Sequence, residues 1–269
     1  MGKRIKVGIV GCGAIGSQVA LFIDRKLREN YEIVGIYDLD LERAKSLLKK
    51  LKMQPRIMEV NQLLKKCELL IEAASILAAK DIIKKAVKRK RILVILSVGV
   101  FVKYPRLLSL SQKAGQIYIP SGAISGIDGI SALGMGRIKK LRLITSKSPS
   151  SLKGISFLNN QGIDVFKIKK DKIVFRGNIK KAIEYFPQNI NVAATLFLAS
   201  QFKNIEVIIR VNPSLKRNIH RIEVDSCDGR LNIEVENLPS IINPKTSVMA
   251  ILSTKKLLKK MIDNFKIGS

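Results

Sequence analysis

Tryptophan is absent from this 269-residue chain, histidine occurs once, cysteine three times, and aromatic residues of all kinds make up 5%. A single histidine excludes a histidine-rich metal site, and no metal is expected. Cys12, Cys67 and Cys227 are odd in number, widely spaced and without a C-x-x-C pair. They exclude a disulfide framework and a thiolate zinc site, and they fit a reducing cytoplasm. No stretch approaches the ~18 apolar residues of a membrane span. The longest apolar run, from Ile92 to Val102, reads as a buried parallel strand. Acids are scarce too, 21 against 49 Lys plus Arg, for a net charge of +28. Such a charge raises nucleic acid as a partner. The lysines, however, are scattered as pairs such as Lys49-Lys50, Lys84-Lys85 and Lys259-Lys260, with few aromatics between them to stack on bases. The expectation is a solvated lysine-rich surface, with no nucleic-acid or membrane partner.

What the chain does have is a run near its start, Lys6-Val7-Gly8-Ile9-Val10-Gly11-Cys12-Gly13-Ala14-Ile15-Gly16, followed by Ile33-Val34-Gly35-Ile36-Tyr37-Asp38. It reads as a strand, a glycine-rich turn, a helix and a second strand ending in a carboxylate. Gly11 permits the tight turn, Gly13 lets backbone approach a pyrophosphate, and Gly16 lets the helix pack closely on the sheet. Ala14 and Ile15 fill the variable positions of the turn, where unpaired helix N–H groups meet the anion. Asp38 lies where a carboxylate accepts hydrogen bonds from a ribose 2′-hydroxyl, so NAD is expected as cofactor, with NADP as the alternative if the neighbouring Arg43 softens the repulsion.

With 46% hydrophobic residues the chain has ample material for a packed core. To about residue 118 it alternates apolar runs with lysine-rich amphipathic segments, the pattern of a Rossmann-type doubly wound parallel sheet. Strands are predicted at Ile5–Val10, Glu32–Tyr37, Leu69–Ala73, Ile92–Ser97 and Gln116–Ile119, and the turns Glu72-Ala73-Ala74-Ser75 and Ser97-Val98-Gly99 should line a cofactor crevice. After a glycine-rich hinge, residues 119–243 read as an α+β domain on a largely antiparallel sheet. Its predicted strands are Leu141–Thr145, Gly154–Phe157, Ile205–Val211, His220–Val224 and Leu231–Val235, with Asp228-Gly229 as a hairpin turn. Helices are predicted from Pro187 and, after Pro244, over Thr246–Phe265; the last one, within 244–269, should return to the 1–118 domain.

His220 shares a strand face with Asn218, Ile222 and Val224, which points it to the covered side of the sheet. The pattern alone fits a satisfied core histidine, while in a two-domain dehydrogenase that face commonly holds the substrate. Asn189 and Asn191 suit simple helix capping as well as a carboxamide contact. Ser121-Gly122-Ala123 fits a hinge or a close backbone approach to a ligand. Glu72 and Asp128 are the remaining candidate acids.

Several strings together resemble the L-aspartate dehydrogenase family. They are Glu72-Ala73-Ala74-Ser75, Ser97-Val98-Gly99, Pro120-Ser121-Gly122-Ala123-Ile124, Phe175-Arg176-Gly177-Asn178, Phe186-Pro187-Gln188-Asn189-Ile190-Asn191-Val192-Ala193-Ala194, His220-Arg221-Ile222-Glu223-Val224 and Asn243-Pro244-Lys245-Thr246-Ser247. The resemblance runs in order along nearly the whole chain. It implies NAD(P)-dependent oxidation of L-aspartate to iminoaspartate. The cysteines make the expected compartment the cytoplasm, and a one-faced sheet that is not fully covered makes a homodimer the expected assembly. The resemblance also implies His220 as the active-site histidine, with Ala123 and Asn189 touching the cofactor alongside Gly11, Gly13, Ala14, Ile15, Gly16, Asp38 and Ala74. Lys245, Thr246 and Arg176 are candidates by type for the substrate carboxylates. Related two-domain enzymes acting on homoserine or dihydrodipicolinate are the alternative.

Overall fold

Short runs of aliphatic residues become the strands of the first unit, each followed by an amphipathic helix that turns its lysines to water. The computed structural model describes residues 3–113, 115–186, 191–243 and 246–268. They fall into two units, Met1–Pro120 with Ile251–Lys266, and Ser121–Ala250 with Ile267–Ser269.

In the first unit the elements run β1 (Ile5–Val10), α1 (Ala14–Lys26), β2 (Tyr31–Tyr37), α2 (Leu41–Leu48), β3 (Arg56–Ile57), α3 (Val60–Lys66), β4 (Leu69–Glu72), α4 (Ile76–Val87), β5 (Ile92–Ile95), α5 (Val100–Lys103), α6 (Arg106–Ser111) and β6 (Ile117–Tyr118). The sheet is parallel throughout, in the order β3-β2-β1-β4-β5-β6. The order reverses between β1 and β4, so a crevice opens at the carboxyl ends of those two strands. Val7, Ile9, Val19, Ile23, Ile33 and Ile36 fill the layer between this sheet and α1 and α2.

The second unit contains α7 (Ile127–Gly134), β7 (Ile138–Lys147), α8 (Ser156–Asn160), β8 (Lys172–Asn178), α9 (Ile179–Tyr185), α10 (Asn191–Ser200), β9 (Glu206–Val211), β10 (Asn218–Ser226) and β11 (Arg230–Asn237). Its sheet has the order β11-β10-β7-β9-β8, antiparallel except for the β7–β9 pair. Asp228-Gly229 makes the hairpin between β10 and β11, closed by Ser226 N–H on Gly229 O at 3.0 Å. One face is covered. The other carries an ion-pair lattice in which Arg142 meets Glu206 at 2.6 Å and Glu223 at 3.1 Å.

The last helix, α11 (Val248–Ile262), belongs largely to the first unit. Tyr31 is fully buried and donates its hydroxyl to Leu258 O at 2.8 Å, and Leu258 joins the core there.

One expectation for the second unit is corrected. Gly154–Phe157 is not a strand: Gly154 has φ +76, which ends extended structure, and Ser156–Asn160 coils into α8. Phe157 instead stacks on Tyr185 with ring centroids 4.3 Å apart. The edge strand β8 is absent from those expectations; its exposed Lys172, Ile173 and Arg176 break the apolar alternation. The predicted helix start at Pro187 and the proline at 244 lie outside the described residues. Among the described residues no helix is long and apolar enough to cross a membrane.

Candidate active site

In the first unit the glycine turn is built by close packing. Gly11 has φ +97, and a Cβ there would meet Ala73 O at 2.5 Å and Ala74 N at 2.8 Å. A Cβ on Gly16 would collide with Gly11 O, whereas one on Gly13 would meet nothing within 4 Å. Two glycines therefore make room for protein and the third leaves room for a ligand. Gly13 is the N-cap of α1, has no side-chain cap, and is followed by a first turn without acids that includes Ala14 and Ile15. The amide dipoles at that end suit an anion.

Asp38 stands just past β2 with both carboxylate oxygens fixed. Oδ2 accepts Cys12 N–H at 2.6 Å and Oδ1 accepts Asp40 N–H at 2.9 Å. Spare lone pairs remain for a ribose diol. Arg43 is taken up by Asp40 at 3.1 Å, at the start of α2. The cradle, open Gly13 and oriented Asp38 fit a dinucleotide.

Glu72 ends β4 and is fully buried. Its carboxylate accepts from Ala74 N (2.9 Å), Ser75 N (3.1 Å), Ser97 N (3.0 Å) and Ser97 Oγ (2.8 Å). Burial pushes its carboxyl pKa up, while these donors pull it down. Glu72 thus clamps together the two turns at the strand ends and leaves the exposed Ala74 on the rim.

In the second unit, His220 on β10 lies directly across from Thr145 on β7 and Val235 on β11. It is 5% exposed, and its Nδ1 is hydrogen-bonded to Thr145 Oγ1 at 3.0 Å. Burial, reinforced by the Lys147 charge, pushes its pKa down from 6.5 to about 3. The imidazole is therefore neutral at ordinary pH. Two residues along the same strands, Lys147 and Asn218 are buried on the same face, and Asn237 on β11 pairs with Asn218. Asn237 Nδ2 donates to Ala123 O at 2.8 Å, which fixes the backbone of the turn containing Ala123.

Some of the sequence candidates fall elsewhere. Arg176 pairs with Glu206 at 3.7 Å on the ion-paired side of the sheet, not with His220. Asn189 and Lys245 lie outside the described residues. Thr145, Lys147 and Asn237 were missed. Thr145 shares its strand parity with Leu141 and Leu143, a signal that places it beside a histidine only once the β7–β10 register is known. Among the described residues no three His, Cys, Asp or Glu side chains gather as a metal site.

A sheet with a glycine cradle and an oriented acid at the end of its second strand, in a chain that also buries a neutral histidine on a second sheet, fits a nicotinamide-dinucleotide-dependent oxidoreductase. Comparison with known proteins narrows the class. Residues 128–261 match the family model for the C-terminal part of aspartate dehydrogenase, and residues 11–120 match the NAD-binding domain model of homoserine dehydrogenase. The L-aspartate dehydrogenase of Methanosarcina mazei is 38% identical, covering 98% of this chain and 100% of the relative. That of Methanothermobacter thermautotrophicus is 37% identical, with 98% of each covered. The crystal structure of aspartate dehydrogenase from Thermotoga maritima superposes with a TM-score of 0.76 at 26% identity, covering 99% of this chain and 100% of that one. The chain belongs to the L-aspartate dehydrogenase family.

Proposed function

We propose that the chain oxidises L-aspartate at its α-carbon with NAD, giving iminoaspartate, and that membership of the aspartate dehydrogenase family is the observation that carries this reading. The Cα–H bond breaks as hydride, the ammonium nitrogen gives up a proton, and a C=N bond forms. When bound, the nicotinamide ring supplies the acceptor for the hydride. Gly11, Gly13, Ala14, Ile15 and Gly16 take the pyrophosphate, Asp38 the ribose, and Ala74, Ala123 and Asn189 the nicotinamide end.

His220 is the catalytic residue of this reading. Neutral before substrate arrives, it gains proton affinity when the two carboxylates of aspartate enter its surroundings. It then accepts the proton from the substrate nitrogen, gives it up to solvent, and can then take one from the water that adds to the imine and converts it to oxaloacetate and ammonium. Thr145 holds the ring through Nδ1 and leaves Nε2 for that exchange.

Three free thiols, Cys12 and Cys67 of them buried, support a reducing cytoplasm as the compartment. The edge position of β11 and the exposed Leu238, Ile241 and Ile242 that follow it support pairing of two copies. The test of activity is NADH formation from L-aspartate and NAD, run beside D-aspartate, L-glutamate and L-homoserine. Turnover confined to L-aspartate is expected, and turnover of homoserine alone would overturn the substrate assignment.

A further inference from the structure

The covered face of the second sheet buries a cation. Among the described residues Lys147 is the one Lys or Arg in the interior, in a chain that has 49 of them. Lysine is rarely fully buried, because its ammonium loses hydration there. Side chains alternate along a strand, so Lys147 shares a face with Thr145, two residues earlier on β7. Thr145 is paired across to His220, and the Lys147 charge reaches the imidazole strongly enough to oppose its protonation. Thr145, Asn218 and Asn237 are buried on the same face.

A second observation concerns the same row. Asn237 commits its amide N–H to Ala123 O. That fixes which end is oxygen, and Asn237 Oδ1 is the buried side-chain polar atom, among the described residues, that has no hydrogen-bond partner. A buried acceptor without a donor is costly, and it suits an N–H group brought by a ligand. Cation, acceptor and neutral imidazole together match the carboxylate, the ammonium and the mobile proton of an α-amino acid.

We propose that Lys147 binds a carboxylate of the substrate beside His220 and so makes this sheet face selective for a dicarboxylic amino acid. The proposal rests on reading the chain as an aspartate dehydrogenase. Lysine on a strand is held by the sheet, so the charge is presented at a fixed depth from the imidazole rather than on a loop. Most of the other basic residues are at least partly solvated.

The test compares wild type with Lys147→Met, which keeps an unbranched side chain one atom shorter and removes the charge, and with Lys147→Arg. For Lys147→Met, KM for L-aspartate should rise about 100-fold, as expected when one partner of a desolvated charge pair is lost. NADH affinity should stay unchanged, and competitive inhibition by succinate should weaken in parallel. Lys147→Arg should recover part of the affinity. Unchanged KM and unchanged succinate inhibition in Lys147→Met would overturn the proposal, as would a matching loss of NADH affinity. Should wild type turn over no L-aspartate, the activity reading fails on its own, and calorimetric titration of the protein–NADH complex with succinate still decides. Binding to wild type but not to Lys147→Met supports the carboxylate site; equal binding, or none to wild type, refutes it.

Discussion

Glu72 and Ser97, 25 residues apart in the chain, are joined twice, by Ser97 N–H on Oε2 and Ser97 Oγ–H on Oε1. The same carboxylate also takes Ala74 and Ser75 N–H, so one buried acid sets the spacing of two strand-end turns. Glu72→Gln places an NH2 group against donors and removes the charge that holds them. A loss of about 2–4 kcal/mol in stability is expected, with weaker NADH binding. Wild-type Tm and NADH affinity in this variant would show that the turns hold themselves.

The glycine turn separates packing from ligand space. Gly16→Ala forces a methyl into Gly11 O and should cost both stability and NADH binding. Gly13 has φ −72 and open space where its Cβ would be, so Gly13→Ala should fold with a change within about 1 kcal/mol. If the pyrophosphate approaches Gly13 as proposed, the same methyl stands in its way, and NADH affinity should fall at least about tenfold. Equal Tm losses in the two variants, measured beside fluorescence titration with NADH, would contradict this division.

If Asp38 takes the ribose as proposed, it sets the choice of cofactor. Its carboxylate is oriented by Cys12 and Asp40, and Arg43 is already paired with Asp40. A 2′-phosphate would face an acid with no cation turned toward it from Arg43. The ratio of kcat/KM should favour NAD over NADP in wild type, and Asp38→Ser should move it toward NADP by about 10–100-fold. A ratio unmoved by the substitution would mean that the ribose is read elsewhere.

Much of this was legible in the chain because parallel strands buried on both faces are unbroken apolar runs and glycine turns have fixed spacing. Ile5–Val10 and its glycines needed no tertiary knowledge. The second unit was harder. β8 is an edge strand whose charged side hides its period, and Phe157 serves an aromatic cluster from a helix, not from the expected strand. Asn237 and Ala123 meet across 114 residues, and Lys147 looks in the sequence like one lysine among many. Only the register of β7, β10 and β11 brings Lys147, Asn218 and Asn237 together with His220.

That register also fixes how His220 responds to pH. Burial first, and the Lys147 charge second, hold its pKa at about 3 in the folded chain against an ordinary 6.5. The native state therefore resists a proton that the unfolded chain accepts. The stability linked to this group is fully present above pH 6.5 and is lost as pH falls toward about 3. Between about pH 7 and about pH 4 wild type should lose more Tm than His220→Gln, whose carboxamide does not titrate. At neutral pH the same variant should lower kcat by about 10²–10⁴-fold while NADH affinity holds, if the ring exchanges a proton with substrate as proposed. Parallel Tm curves would mean that the imidazole is not held neutral. Equal losses of kcat and NADH affinity would make His220 a packing residue.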